Sequence, residues 1–470
     1  MVDKMKKVSN RDIIWSYLGQ IANLTVHIIL TPLIAVKLPA NEVGLWYTFT
    51  SIYTFITFFD TSFSPLILKN ATYCISGAKE LSKEGFGVQD VGEPNYELLH
   101  DLVCAAKKIY RIVAALFLLF LVTIGSIYIL YITKDEVDIS CIGAWLIYAL
   151  GIGINFYIIY LPSVLKGIGY IADSQKIFVI SRSIQLVVSI VGVFAGGGLY
   201  ALALGFFVGS TLIFVLSVRT ARSVSFLNFS SGKSDKKKVK ELIEVIWFNA
   251  KKMALVTMGR YFSTQGGILV CSTFVSLEVS GAYGLTMQAL QAVASIANIF
   301  LQTLIPSISS ASIRNDNAGR KESFSMGMCV FWVLYPLGII MVNLLCNPLL
   351  RLLHANTMLL DTKPFFVLAA GYFLLANYVD FNIIFESQNR IPHMKAEFAF
   401  GIINMCGLIV VSKTLNLGIW GIIFVQTLIP LCYNAWHWPH QILKLMNTDA
   451  REVFGTGVGA IKRKFIKKRA

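Results

Sequence analysis

The chain has 470 residues, of which 56% are hydrophobic and only 14% are charged, and its mean hydropathy is +0.66. This composition excludes an ordinary soluble globular protein, and apolar runs of about 20 residues predict helices that cross a membrane. The net charge of +15 does not indicate a nucleic-acid partner, because Lys and Arg collect in the cytoplasmic loops of membrane proteins.

Twelve apolar segments are long enough to span a membrane, and they fall into two groups of six. The first six are predicted at residues 13–36, 45–68, 109–132, 139–163, 177–196 and 199–219. The second six are predicted at residues 253–275, 281–305, 324–345, 364–386, 397–413 and 418–441. We therefore predict an all-α integral membrane fold with about twelve transmembrane helices in two pseudo-symmetric six-helix lobes.

A basic stretch separates the two groups, and short motifs recur on either side of it. Residues 38–46 (LPANEVGLW) precede the second span, and residues 276–284 (SLEVSGAYG) occupy the corresponding place in the second half. The predicted segments are an N-terminal lobe at 1–218, a basic cytosolic linker with a surface helix at 219–252, a C-terminal lobe at 253–441 and a basic cytosolic tail at 442–470.

The distribution of Lys and Arg predicts the orientation of the chain. Most of these residues fall on one side of the predicted spans, and this side should be cytoplasmic, together with both termini. Residues 95–108 and 236–249 have amphipathic spacing, which predicts helices along the membrane surface. The basic residues of 461–469 suit anionic lipid headgroups or a solvated tail.

The sequence lacks the motifs that would indicate an enzyme or a metal site. We find no phosphate-binding glycine loop, no HExxH motif and no CxxC pair, and the eight cysteines and six histidines are scattered. We therefore predict no catalytic residue, no metal and no cofactor. Because every outer loop is short, a separate extracytoplasmic catalytic domain is not expected.

Two arginines lie inside predicted spans, where a charge at the bilayer centre costs about 2.5–3.5 kcal/mol. Arg182 shares a helix face with Gln185, and Arg260 lies between Thr257 and Thr264. These polar stripes predict a water-filled central cavity, with the arginines as its substrate-binding cations. Two alternatives remain open: the arginines reach the headgroups from positions near the span ends, or they pair with aspartates as structural bridges.

Two carboxylates also lie inside predicted spans. Asp60 lies on a polar stripe of the second span, and Asp380 shares a face with Asn377. Intramembrane carboxylates are candidates for coupling transport to an H⁺ or Na⁺ gradient. None of these charges is repeated between the two halves, which favours one binding site at the interface of the two lobes.

Several further motifs accompany the twelve spans. They are FDTSFSPLIL (59–68), LPSVLKGIG (161–169), GGLYALALG (197–205), GAYGL (281–285) and IPSI (305–308). Together with residues 38–46, they resemble Wzx-type O-antigen and polysaccharide flippases of the multidrug/oligosaccharidyl-lipid/polysaccharide (MOP) exporter superfamily. The last third of the chain matches mainly in topology.

The resemblance implies alternating access around a central cavity in the bacterial cytoplasmic (inner) membrane. The expected cargo is a polyprenyl-diphosphate-linked oligosaccharide of the O-antigen (lipopolysaccharide) or capsule type, moved from the cytoplasmic to the periplasmic leaflet. Arg182 and Arg260 would bind the diphosphate, because a guanidinium offers bidentate donors to phosphate. Further expected partners are membrane lipids and polysaccharide-assembly proteins such as a polymerase or a chain-length regulator.

Three other functions fit the sequence less well. A multidrug/cation antiporter of the same superfamily would favour an acidic cavity, and two intramembrane arginines oppose that. A major-facilitator transporter usually carries a Gly-x-x-x-Asp-Arg/Lys motif between its second and third spans, and residues 69–108 lack it. An integral-membrane polysaccharide polymerase typically needs a large outer loop.

Overall fold

The computed structural model describes residues 10–81, 93–133, 140–224, 236–314, 316–388, 390–415 and 417–467. Within these ranges the chain is dominated by α-helices and contains no strand. Apolar segments in lipid must satisfy their backbone polar groups internally, which a helix does within a single segment. The predicted all-α integral membrane fold is confirmed.

Sixteen α-helices occur in the described ranges. Those of the first half are α1 (Asn10–Lys37), α2 (Ala40–Ile75), α3 (Tyr96–Phe120), α4 (Ser126–Thr133), α5 (Cys141–Ile158), α6 (Tyr160–Gly167), α7 (Ile171–Phe194) and α8 (Gly198–Ser223). They are followed by α9 (Lys236–Phe274), α10 (Leu277–Ile313), α11 (Asn317–Leu352), α12 (Thr362–Glu386), α13 (Met394–Thr414), α14 (Gly418–Cys432), α15 (Asn434–Leu445) and α16 (Ala450–Lys467).

Each of the twelve predicted spans overlaps at least one of these helices. In the described part of the chain, nine helical stretches are long and apolar enough to cross a membrane by length and composition. The helices α1, α2 and α9 are not among the nine. Thr, Ser and Tyr interrupt the apolar residues of α2, and α9 begins with a lysine-rich segment.

The two stretches predicted as surface helices are helical, but each is continuous with a longer helix, and their position along the membrane surface remains a prediction. Residues 96–108 are the first turns of α3, which continues through a π-helical turn (Leu121–Gly125) into α4. Residues 236–249 are the start of α9, a helix of 39 residues. Neither stretch contains a proline that would end the helix between its polar and apolar parts.

The chain divides into two compact units, Met1–Met258 and Gly259–Ala470, and the division falls within α9. The four-segment division predicted from the sequence remains a prediction, because residues 225–235 of the predicted linker lie outside the described residues.

Aromatic side chains fill the core of the first unit. Here α7 packs against α1 and α8, α8 packs against α5, and α2 packs against α6. The ring centroids of Tyr148 and Phe206 are 4.6 Å apart, and those of Phe49 and Trp145 are 5.0 Å apart. Such tilted aromatic pairs stabilise the contacts among α2, α5 and α8 beyond simple burial.

The π-helical turn between α3 and α4 holds the buried Trp145 in place. The Trp145 Nε1 donates to the carbonyl oxygen of Leu121 at 3.3 Å and to Ser126 Oγ at 3.2 Å. A Cβ at Gly125 would lie 2.7 Å from the indole ring. A wide helical turn and a glycine therefore make room for the indole and satisfy its N–H group.

In the second unit, α10 packs against α11, α12 packs against α14 and α15, and α13 packs against α14. Two buried polar contacts tie α10 to α14 and to the connection that precedes α12. The Tyr283 hydroxyl donates to Gln426 Oε1, and the backbone N–H of Leu360 donates to Thr286 Oγ1 at 2.9 Å. Buried polar groups are thus paired across helices, as a low-dielectric interior requires.

The described part of the predicted basic tail includes a helix, α16, that packs on α11. Lys321 donates to Glu452 at 2.6 Å, and Arg463 donates to Glu322 at 3.0 Å. Gly457 lies between these ion pairs, where a Cβ would collide with the backbone of α11. The tail is therefore a docked helix over Ala450–Lys467, and not only a basic segment.

Candidate functional site

Arg182 on α7 is a cation with few partners inside a membrane span. Its Nη1 donates to Gln185 Oε1 at 2.6 Å, while its buried Nε has no hydrogen-bond partner. No described carboxylate pairs with this half-buried guanidinium. Buried charges are normally paired, and Arg182 departs from this rule. Its remaining N–H groups can therefore donate hydrogen bonds to an anionic group.

Close packing of α7 on α8 sets the position of Gln185. A Cβ at Gly209 would lie 2.9 Å from Gln185 Cβ, and a Cβ at Gly205 would collide with Ser189 Oγ. Small residues of this kind allow transmembrane helices to approach closely. Gln185 and Ser189 therefore lie buried in the α7–α8 interface, and Arg182 extends from its edge.

Arg260 on α9 lies among two glutamates and a histidine, and we call these four residues, Arg260, Glu386, His393 and Glu397, the Arg260 cluster. Nη2 of Arg260 lies 3.5 Å from Glu386 Oε1, and Nε lies 3.5 Å from Glu397 Oε2. His393 Nε2 is 3.6 Å from the same Glu386 oxygen. The observed partners of this arginine are glutamates and not the aspartates that the structural-bridge alternative invoked.

Burial within the cluster is uneven. The side chains of His393 and Glu397 are 0% and 1% exposed, whereas Arg260 is 22% and Glu386 is 37% exposed. The cluster is therefore open on the side of Arg260 and Glu386 and closed on the side of Glu397.

A backbone contact between α9 and α13 brings Arg260 next to Glu397. A Cβ at Gly401 would lie 2.5 Å from the carbonyl oxygen of Gly259, and a Cβ at Gly259 would collide with the carbonyl of Glu397. The same two helices are joined by Asn404 Nδ2, which donates to the carbonyl of Phe262 at 3.0 Å. Glycines at the crossing thus determine how near the two charges can come.

Like Gln185, the other three supporting residues predicted from the polar stripes, Thr257, Thr264 and Asn377, have partners within the protein. Thr257 donates to its own helix and lies 3.2 Å from Ser62 Oγ, and Thr264 also donates to its own helix. Asn377 Oδ1 accepts from Trp332 Nε1 at 2.7 Å. These contacts stabilise helices and helix pairs.

Asp60 on α2 is held by two hydroxyl groups. Its Oδ1 accepts from Tyr110 at 2.6 Å and from Ser64 at 2.8 Å. Lys166 lies within electrostatic range of the carboxylate. Asp60 is thus part of a polar group joining α2, α3 and α6.

Asp380 on α12 is less well satisfied. It is 3% exposed and hydrogen-bonded to Asn298, but its Oδ2 has no hydrogen-bond partner. Asn382, two residues further along, is 0% exposed, and both of its amide atoms are unpaired. Unsatisfied buried polar groups of this kind require an explanation such as a bound ion, a water or a second conformation.

A cavity of about 340 Å³ lies at the junction of α10 and α11, lined by residues that include Ser307, Arg314 and Glu322. None of the predicted site residues lines it. We therefore place the candidate chemistry at the arginines and not in this cavity.

Sequence reasoning missed Glu386, His393 and Glu397. The two glutamates stand at the ends of the predicted spans 364–386 and 397–413, where charged residues ordinarily reach water. The sequence did offer one indication of an acidic site, because Glu386 and Glu397 lie on either side of the short connection between these two spans. Only the tertiary structure brings them to Arg260, which is 126 residues away from Glu386.

Comparisons with known proteins agree with this fold. Residues 171–356 match the family model described as "Polysaccharide biosynthesis protein". No curated protein matches the sequence significantly.

Solved structures of transporters are similar over nearly the whole chain. An inward-facing multidrug resistance MATE family transporter of the MOP superfamily has a TM-score of 0.67 at 9% identity, with 91% of this chain and 96% of that chain covered. The lipid II flippase MurJ, in an inward closed conformation, has a TM-score of 0.56 at 13% identity, with coverage of 97% and 92%. A MOP superfamily transporter from Pyrococcus furiosus, described as having a binding pocket of reverse polarity, has a TM-score of 0.52 at 10% identity, with coverage of 93% and 96%.

At these identities the solved structures show the fold alone. The helical architecture, the charges inside its spans and the family match over 171–356 lead to one conclusion. The resemblance found in the sequence is confirmed: the chain has the fold of a MOP-superfamily membrane transporter and resembles the polysaccharide flippases of that superfamily.

Proposed function

We propose that the protein is a flippase for a polyprenyl-diphosphate-linked oligosaccharide. It moves a repeat unit of the O-antigen or capsule type from the cytoplasmic to the periplasmic leaflet of the bacterial inner membrane by alternating access. The transporter fold and the match to a polysaccharide biosynthesis family support the general class. We infer that the protein recognises the diphosphate of this cargo from the chemistry of the Arg182 guanidinium.

The observation that carries the proposal is an intramembrane cation with no described carboxylate partner. Arg182 donates one hydrogen bond to Gln185, and its Nε–H group has no partner. A planar guanidinium binds phosphate oxygens bidentately, and the weakly polar surroundings strengthen such a charge-assisted contact. The lipid tail of the cargo can stay in the bilayer, so no closed apolar pocket is needed.

Energy coupling and partners complete the proposal. Asp60 and Asp380 are candidate sites for the H⁺ or Na⁺ whose gradient drives transport. Membrane lipids surround the protein with both termini in the cytoplasm. A polymerase and a chain-length regulator are the expected partners in polysaccharide assembly.

The test is polysaccharide export by arginine variants at matched protein levels in the membrane. We expect Arg182→Ala to abolish surface polysaccharide, because truncating one partner of a buried charged contact costs about 2–5 kcal/mol. Arg182→Lys should retain part of the export, because an ammonium keeps the charge but cannot bind bidentately. Arg351→Ala, at an exposed arginine at the end of α11, is the matched control.

Arg260→Ala should also abolish export, with Arg260→Lys again retaining part of it. This variant leaves Glu386 and Glu397 without their cation, so its amount in the membrane must be checked first. Normal export with both arginines replaced by alanine would refute the proposal. Loss of resistance to cationic drugs in the same cells would then identify a cation antiporter.

A further inference from the structure

The Arg260 cluster contains more acidic groups than its arginine can balance. Two carboxylates face one guanidinium, and Glu397 is almost completely buried. The charged and titratable groups that face one another here come from α9, α12, the connection after α12 and α13: Arg260, Tyr378, Asp380, Glu386, His393 and Glu397. With His393 neutral, the two glutamates leave a net negative charge, which a low-dielectric site tolerates poorly.

The hydrogen bonding in the cluster is incomplete. Arg260 Nε, Glu397 Oε1 and both ring nitrogens of His393 have no hydrogen-bond partner, although all four atoms are buried. The ion-pair distances of 3.5 and 3.6 Å are longer than those of a strong charge-assisted hydrogen bond. The unpaired oxygen of Glu397 can therefore accept a proton, and Arg260 can exchange its carboxylates for a better ligand.

We propose that the Arg260 cluster is an anion–proton exchange site, in which a diphosphate displaces Glu386 and Glu397 from Arg260 and one of the two released carboxylates takes up a proton. The inference rests on the proposed function, since it names the same diphosphate as ligand. It adds that binding of the cargo headgroup and binding of protons are one event.

The physical basis is competition for a single guanidinium. A diphosphate offers Arg260 two oxygens at the spacing of its N–H groups, which neither glutamate does at the observed distances. A carboxylate that loses its counter-charge in a buried site is stabilised by protonation. Linkage then requires that anion binding tightens as the pH falls and that bound anion favours proton uptake.

The test is calorimetry of pyrophosphate binding to the full-length protein in phosphatidylcholine nanodiscs. Comparing two buffers of different ionisation enthalpy gives the protons taken up per pyrophosphate bound. We expect about one proton per pyrophosphate and about tenfold tighter binding for each unit of decrease in pH.

Isosteric variants separate the protein's protons from those of pyrophosphate itself. Glu386→Gln/Glu397→Gln should lose the proton uptake and bind pyrophosphate more tightly at neutral pH, because no carboxylate competes for Arg260. Glu278→Gln, at an exposed glutamate of α10, should behave like the unmodified protein. If the double variant does not fold, the single Glu397→Gln variant should take up fewer protons than the unmodified protein, with Glu386 as the remaining carboxylate.

The possible outcomes distinguish failure of the exchange proposal from failure of the flippase proposal. Equal proton uptake in the unmodified protein and the glutamine variants would overturn the exchange and leave the flippase proposal intact. Absence of pyrophosphate binding would overturn the exchange as well, whereas the flippase proposal depends on the export assay. If nanodiscs containing phosphatidylglycerol abolish pyrophosphate binding, the site holds bulk anionic lipid, which would overturn the diphosphate as its ligand.

Discussion

Replacement of Gly401 by alanine should destabilise the protein, because a methyl group has no room at the crossing of α9 and α13. The added Cβ would lie 2.5 Å from the carbonyl oxygen of Gly259 and 2.6 Å from its Cα. These are backbone atoms, so the helices themselves must separate. Overpacking of this kind costs about 1–3 kcal/mol, while the better helix propensity of alanine offsets about 1 kcal/mol. We expect a net loss of up to about 2 kcal/mol.

Gly407→Ala, on the same helix, is the matched control. Its Cβ would lie 3.2 Å from the ends of the Ile429 and Val425 side chains, which can move. This variant should therefore be neutral or up to about 1 kcal/mol more stable than the unmodified protein. Reversible unfolding in mixed micelles, followed by tryptophan fluorescence, gives both values. If Gly401→Ala proved as stable as Gly407→Ala, the close crossing that brings Arg260 to Glu397 would be refuted.

Three further predictions concern coupling, the tail and orientation. Asp60→Asn or Asp380→Asn should weaken the pH or sodium dependence of transport in reconstituted vesicles, and unchanged ion dependence would remove that residue from the coupling role. Hydrogen bonds from Lys321 of α11 and from Thr448, which precedes α16, lower the pKa of Glu452 below its usual 4.5, so docking of α16 is strongest above pH 4.5 and should weaken as the pH falls below it. Distances between spin labels on α16 and α11 should show this change, and Glu452→Gln should remove it. In a cysteine-free background, Lys363→Cys should react with an impermeant reagent from outside and Ser223→Cys should not; the opposite pattern would reverse the predicted orientation.

Hydropathy predicted the approximate position of the spans, because most of them are long apolar runs: each of the twelve predicted spans overlaps a helix, and nine helical stretches of the described residues are apolar enough to cross a membrane. It did not predict the ends of the helices, since helix formation continues past the apolar run wherever no residue stops it. The start of α9 is rich in lysine and α16 contains several glycines, so hydropathy did not indicate a helix in either segment. The stability of both helical segments depends on tertiary contacts.

The candidate site was predictable only where its contacts are local. A spacing of three residues placed Arg182 and Gln185 on one face, and the structure shows a hydrogen bond between them. The partners of Arg260 come from α12 and α13, and no periodicity in the sequence relates them to α9. Their arrangement depends on a close approach of two backbones, which one glycine in each helix permits.

The π-helical turn has a consequence for the alignment of the long helix that contains it. Leu121, Gly125, Ile129 and Thr133 are all buried and are spaced four residues apart. In a regular α-helix each step of four residues rotates the side chain by about 40°, so such a series would turn gradually toward the lipid. The wider turn absorbs one extra residue and resets this rotation. Deletion of Thr123 alone would thus convert the turn to regular α-helix and rotate α4 against its neighbours, exposing the Trp145 side to lipid without removing an apolar side chain.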